Sequence, residues 1–224
     1  MPDVLVANGL SRWFDTGRGR VHAVRGASLR VAEAEMVAVL GRSGAGTSVL
    51  LSMCGGLERP DEGSLFVTGR DVPAMKPAER IEFLARTLGW VPQRPSLLPL
   101  LTLGENVAVA LRIAGEAEAE ATRAALVALE ALGLRDLAAR SGTDLSAAEQ
   151  RLAALARALV KAPALLVADQ PTGHLDVTAT SGVMALLREA AASGTTVLYA
   201  THDEGAAAAA DRVLWMEAGA LTET

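Results

Sequence analysis

The chain has 224 residues, half of them hydrophobic, a net charge of −5 and one cysteine. That length buries enough surface to fold without a metal or disulfide staple, and Cys54 lacks an internal partner, so the composition points to an intracellular α/β domain. The acidic balance excludes the basic footprint of a nucleic-acid binder, and no apolar run approaches the roughly 18 residues of a membrane span.

The first ten residues show no basic region followed by an apolar one, so no secretory signal is expected. Alanine fills 44 positions and raises helix propensity everywhere, so periodicity and turn residues must carry the assignments. Residues 4–7 and 21–31 read as strands around a loop at 15–20 that is rich in Gly and Arg. The run MVAVL at 36–40 suits a strand buried on both faces of a parallel sheet. A glycine-rich turn follows, then a helix over 47–57, a strand-like segment over 63–72 ending in a turn, a helix over 77–86 opened by Pro77, and a strand over 88–91 closed by Pro92. From 101 to about 161 the pattern is helical, with long helices around 116–132 and 146–160. Alternation then resumes with strands at 164–168, 195–200 and 212–216 and helices at 177–192 and 204–210. The organisation is a helical block inserted into an α/β core.

The stretch Gly41-Arg42-Ser43-Gly44-Ala45-Gly46-Thr47-Ser48 follows a buried strand and opens a helix. This is the setting of a phosphate-binding loop, in which backbone N–H groups and a helix N-terminus face an anion. It fits the template G-x-x-x-x-G-K-[ST] except at Thr47, where a lysine should neutralise phosphate. Ser48 stands where a hydroxyl would ligate Mg²⁺. By itself the segment also reads as a strand-to-helix turn with no ligand. Asp169 ends an apolar strand, as does the acid that holds Mg²⁺ in such folds, although alone it would serve as a turn or helix cap. Gln170 occupies the next position, where a glutamate would polarise water, and an amide cannot accept a proton.

Four further segments stand in matching order: Val91-Pro92-Gln93, Leu145-Ser146-Ala147-Ala148-Glu149-Gln150-Arg151, Pro171-Thr172-Gly173-His174-Leu175-Asp176 and Thr201-His202-Asp203. With the phosphate loop and Asp169 they span nearly the whole chain. The sequence resembles the ATP-binding subunit of an ABC transporter. It is most similar to the branch serving lipoprotein release, macrolide-type export and the cell-division complex. The resemblance implies a P-loop NTPase (RecA-like) core at 1–92 and 163–224, with an N-terminal antiparallel β region. It also implies a helical subdomain at 93–162 that bears the signature motif. It implies ATP and Mg²⁺, a membrane permease on another chain, a second ABC subunit in a head-to-tail dimer, and a place at the cytoplasmic face of the membrane.

The resemblance also implies roles for single residues. Phe14 would stack on adenine, with Trp13 as the neighbouring alternative. Gly41, Ser43, Gly44, Gly46, Thr47 and Ser48 would hold the nucleotide, and Ser48, Gln93 and Asp169 the metal. His202 would meet the γ-phosphate and Asp176 would face the partner across the dimer. Leu145 to Gln150 would form the signature that completes the partner's site. His22 has no visible metal partners and reads as structural.

Three features depart from the family pattern: Thr47, Gln170, and the pair Ala147 and Ala148 in place of two glycines. Each alanine adds a methyl near phosphate and restricts φ. Ser146-x-x-Glu149 is also a capping box, which would start the helix whatever its function. The departures suggest a subunit that binds ATP but hydrolyses poorly, paired with an intact ABC subunit. The alternatives are an active ATPase with a relaxed mechanism, in which Arg42 partly replaces the lysine, and a scaffold that binds no nucleotide.

Overall fold

The computed structural model describes residues 2–17, 19–173 and 175–223. Strands β1 (Asp3–Thr16) and β2 (Gly19–Ala32) make a long antiparallel hairpin. The expected loop at 15–20 is therefore mostly strand. Thr16 pairs with Gly19, and Asp15 pairs with Arg20 and binds its guanidinium at 3.0 Å. A cross-strand ion pair beside the reversal favours pairing that composition alone does not reveal. β4 (Glu62–Val67) joins the other side of β1, and β5 (Arg70–Asp71) completes the order β2-β1-β4-β5. The strand-like segment expected at 63–72 is thus a hairpin, with its turn at 68–69 and a second short strand after it. Thr68 and Gly69 both take positive φ, 48° and 77°, as a two-residue turn matched to strand twist requires.

The second sheet has the order β10-β9-β3-β8-β7-β6. β3 (Met36–Gly41), β6 (Leu88–Val91), β7 (Leu165–Asp169), β8 (Thr196–Thr201) and β9 (Arg212–Glu217) are parallel, and β10 (Ala220–Glu223) is an antiparallel edge. The central strands are apolar throughout because both faces are covered. Val37 and Val39 face one layer, and Met36, Ala38 and Leu40 the other; β7 and β8 divide in the same way. β10 left no sign in the sequence, since none of its four residues is buried.

On one face, α1 (Thr47–Cys54) lies between the two sheets and buries Leu50, Leu51, Met53 and Cys54 completely. Burial pushes the Cys54 thiol up to about 12, which leaves it inert. The helix stops at Cys54, short of the expected residue 57, and the Gly55 N–H donates to Leu51 O at 2.8 Å. α2 (Pro77–Thr87) begins at its proline and packs Phe83 and Leu84 onto this core. The opposite face of the sheet carries α5 (Ala147–Leu159), α6 (Val177–Ala192) and the short α7 (Glu204–Ala207).

Helices α3 (Leu103–Ile113) and α4 (Glu118–Ala131) share a separate core with α5 around Leu103, Val107, Ala125, Leu129, Ala153 and Ala156. α5 also faces the parallel sheet through Ala154, Leu155 and Ala158. Small side chains on both faces let one helix serve as a shared wall, which gives part of the alanine excess a physical use. No helix among the described residues is long and apolar enough to cross a membrane.

Candidate functional site

Strands β3, β8, β7 and β6 are neighbours, in register and parallel, so they end at one edge of the sheet: Leu40 pairs with Thr201, Ala200 with Asp169, and Ala168 with Val91. The loops at the ends of these strands are therefore brought together. β3 delivers the glycine loop, β8 His202, β7 Asp169 and Gln170, and β6 Gln93. In such sheets ligands bind beyond the carboxyl ends of the strands. A cleft of about 1040 Å³ opens there, lined by Ser43, Gly44, Thr47, Ser48, Gln93, Gln170 and His202.

The loop at 41–46 is shaped by backbone constraints. Gly46 has φ 102° and packs against β2; a Cβ on it would lie 2.0 Å from the Ala23 carbonyl oxygen. Only glycine fits. As the N-cap of α1 it offers no side chain, so no side-chain group caps the first N–H groups of the helix. Together with the helix dipole they make an anion-holding end. Thr47 is 8% exposed, and its methyl sits where any Cβ on Gly41 would be 2.8 Å away. The lysine slot is thus filled by a buried, uncharged side chain. Arg42 and Arg94 also line the cleft, and among the described residues neither guanidinium has a hydrogen-bond or ion-pair partner.

Asp169 is 4% exposed, and its Oδ1 has no hydrogen-bond partner among the described residues. Burial raises its carboxyl above the ordinary range, while a hydrogen bond from Ser48 and the charge of Arg151 pull the other way. A buried carboxylate oxygen without a partner, beside a serine hydroxyl, is a donor set that suits a hard divalent cation such as Mg²⁺. Gln170 takes φ 53°, a left-handed conformation costing about 1–2 kcal/mol for a non-glycine residue. Its N–H donates to Ala200 O at 3.0 Å, and its carbonyl accepts from the Gly173 N–H at 3.0 Å.

Arg151, on α5, is 6% exposed and donates to Gln170 O at 2.7 Å and to Gln93 O at 3.1 Å. Neither Arg151 nor Arg94 stood among the site residues expected from sequence. The signal for Arg151 was present: at helical spacing it shares the buried face of Ala154, Leu155 and Ala158, where a cation needs a reason.

The signature segment starts α5. Ser146 Oγ accepts from the Glu149 N–H at 3.3 Å and Glu149 Oε2 accepts from the Ser146 N–H at 2.7 Å, the expected capping box. Hydrogen bonds from the Ser146 hydroxyl and then the Ser146 N–H hold the Glu149 carboxyl below its usual range. Gln150 Nε2 donates to Leu145 O, and Leu145 is buried. Ala147 and Ala148 open the helix and are absent from the positive-φ residues, so the expected restriction of φ costs nothing. Only their methyls matter, and Ala147 and Gln150 line the same cleft as the glycine loop. Asp176 caps α6 by accepting from the Ala179 N–H at 2.8 Å. Phe14 is 39% exposed, under the Arg12 guanidinium at 4.7 Å, and is not among the residues lining the cleft. Trp13 packs on the exposed His22, with ring centroids 5.6 Å apart. His174 lies outside the described residues.

A glycine loop between a parallel strand and a helix, an acid closing the second strand along and a fold of two sheets with a helical block define a P-loop ATP-binding domain. The sequence model of the ABC transporter family matches residues 24–173, and the chain belongs to that family. It is 39% identical over 220 residues to the lipoprotein-releasing system ATP-binding protein LolD of Paramagnetospirillum magneticum, covering 98% of this chain and 97% of the relative. To the protein of the same name from Hyphomonas neptunium it is 38% identical over 224 residues, covering 100% and 98%. It superposes with TM-score 0.92 and 28% identity on the ATP-binding cassette MJ0796 in a dimeric post-hydrolysis state bound to ADP and Pi, covering 98% of each chain.

Proposed function

We propose that this ATP-binding subunit holds Mg-ATP in the cleft but hydrolyses it poorly or not at all, and that it works beside an ABC subunit with intact motifs and a separate permease. The observation that supports this most is Thr47, a buried neutral side chain in the lysine slot. Gln170 adds a second defect, since its amide cannot take a proton from water. The chain covers nearly all of relatives that are named as the ATP-binding protein of a lipoprotein-releasing system. On this reading the complex serves lipoprotein release, its permease is another chain, and this subunit sits at the cytoplasmic face of the membrane.

Backbone N–H groups at the start of α1 would hold phosphate, and Phe14 would stack on adenine. Ser48, Asp169 and Gln93 would hold Mg²⁺, which when bound neutralises phosphate charge. His202 would reach the terminal phosphate and Asp176 the partner subunit. Residues 145–150 would complete the partner's site, with the methyls of Ala147 and Ala148 weakening that contact. Residues 93–162 would move as a subdomain against 1–92 and 163–224.

The test is the purified complex. Disabling the partner's glutamate should abolish turnover, and Gln170→Ala in this chain should leave it intact. The reverse pattern sinks the proposal. The double change Thr47→Lys, Gln170→Glu should raise turnover in this site by about 10²–10⁴-fold. A second reading, an active site with a relaxed mechanism, is favoured by Arg42 and Arg94, cleft arginines with no partner among the described residues. It requires steady ATPase activity of the isolated chain, lost in His202→Ala. Absence of any thermal shift with Mg-ATP would leave only the scaffold reading.

A further inference from the structure

The segment after β6 carries Gln93 and Arg94 to the cleft without regular structure, so something else must hold it. Side chains of the helical block do so. Asn106, fully buried on α3, accepts from the Leu98 N–H at 2.6 Å and donates to Leu98 O at 3.0 Å. Arg157 donates to Ser96 O at 2.7 Å, and Arg151 donates to Gln93 O. Arg151 alone among them also reaches across to the Gln170 turn. Both its bonds go to backbone carbonyls, and no carboxylate of the described residues forms an ion pair with it. A guanidinium fork suits this task, because its donors point in fixed and different directions.

We infer that Arg151 is a positioning residue that joins the Gln93 loop and the Gln170 turn to the helix of the signature segment, so that the metal side of the cleft and α5 move as one. The inference rests on the proposal that the cleft holds Mg-ATP, and it separates the two halves of the cleft. The glycine loop belongs to β3 and α1, which Arg151 does not bond. The Gln93 loop and the turn after Asp169 are the parts it holds. Loss of the fork should therefore damage Mg²⁺-dependent binding and spare binding that rests on the glycine loop alone.

The test measures ATP affinity by calorimetry with Mg²⁺ and with EDTA, and amide hydrogen exchange over 91–98 and 168–175. Arg151→Gln should weaken binding with Mg²⁺ by about ten- to a hundredfold, the worth of a charge-assisted hydrogen bond, and leave binding in EDTA unchanged. Exchange should quicken in both segments together. Arg151→Lys should rescue only in part, because an ammonium cannot reproduce the fork. Arg157→Gln, a matched loss on the same helix, should quicken exchange over 91–98 alone. Equal loss of affinity with and without Mg²⁺, quickened exchange in one segment only, or full rescue by lysine would each overturn the inference. If Arg151→Gln does not fold, Arg151→Lys decides by the same measurements. If the parent chain binds no ATP at all, the nucleotide reading fails, and the exchange results alone decide whether Arg151 joins the two segments.

Discussion

Two helices, α1 and α5, begin at the same cleft. α1 starts from Gly46, a glycine in left-handed conformation, with no side-chain cap and no acid in its first turn, and its Leu50, Leu51, Met53 and Cys54 are buried between two sheets. α5 starts from Ser146, whose hydroxyl and the Glu149 carboxylate satisfy two backbone N–H groups reciprocally. One end is left open for an outside anion, and the other is closed by its own side chains. Persistence of Ser146 and Glu149 is explained by helix architecture, whereas the start of α1 lacks a side-chain cap and also follows a left-handed glycine loop lining the cleft, the setting in which N–H groups face an anion. The open end is therefore the stronger sign of a nucleotide.

The largest effect should come from filling the open end. Gly46→Ala adds a Cβ at 2.0 Å from the Ala23 carbonyl oxygen and at φ 102°. About 4 kcal/mol or more should be lost, seen as a fall in Tm of at least about 8 °C or as failure to fold. The closed end should respond less. Ser146→Ala should cost about 0.5–2 kcal/mol, with ATP affinity of the isolated chain unchanged. A large loss of affinity there would break the contrast, because the signature helix would then also be holding this chain's own nucleotide.

Asp169→Asn should stabilise the nucleotide-free chain by about 1 kcal/mol, or about 2–4 °C, while removing the Mg²⁺ dependence of ATP binding. The sign is set by burial. The folded carboxyl sits above its unfolded value, so the folded chain takes up a proton there first. The cost of the buried charge is full above the folded value and is relieved as pH falls through it. The Tm gap between variant and parent should thus narrow toward about pH 4. Smallest of all, Ala148→Gly should cost about 0.5–1 kcal/mol of helix stability and strengthen contact with a partner's nucleotide, measured as dimer affinity with Mg-ATP.

The glycine loop, the strands that end in Gly41 and Asp169, and the start of α5 were legible because each depends on local rules. A run such as MVAVL must be covered on both faces, and Ser-x-x-Glu must cap a helix. The hairpin at 15–20, the pairing of β5 with β4 and β10 were not, because pairing partners rather than intrinsic preference make those residues strands. The bond from Arg151 to carbonyls 58 and 19 residues away is of the same kind. Nothing in the local sequence says which carbonyls it will meet.

The sequence by itself determined the membership of the family and the three chemical departures, since side-chain identity decides whether a position can carry charge or accept a proton. It could not say what those departures do to the site. That Thr47 is buried, that Ala147 and Ala148 sit at helical φ without strain, and that Arg42 and Arg94 line the cleft without partners among the described residues are results of packing. Only the tertiary structure decided them, because four parallel strands in register bring segments from 41 to 202 to one edge of one sheet.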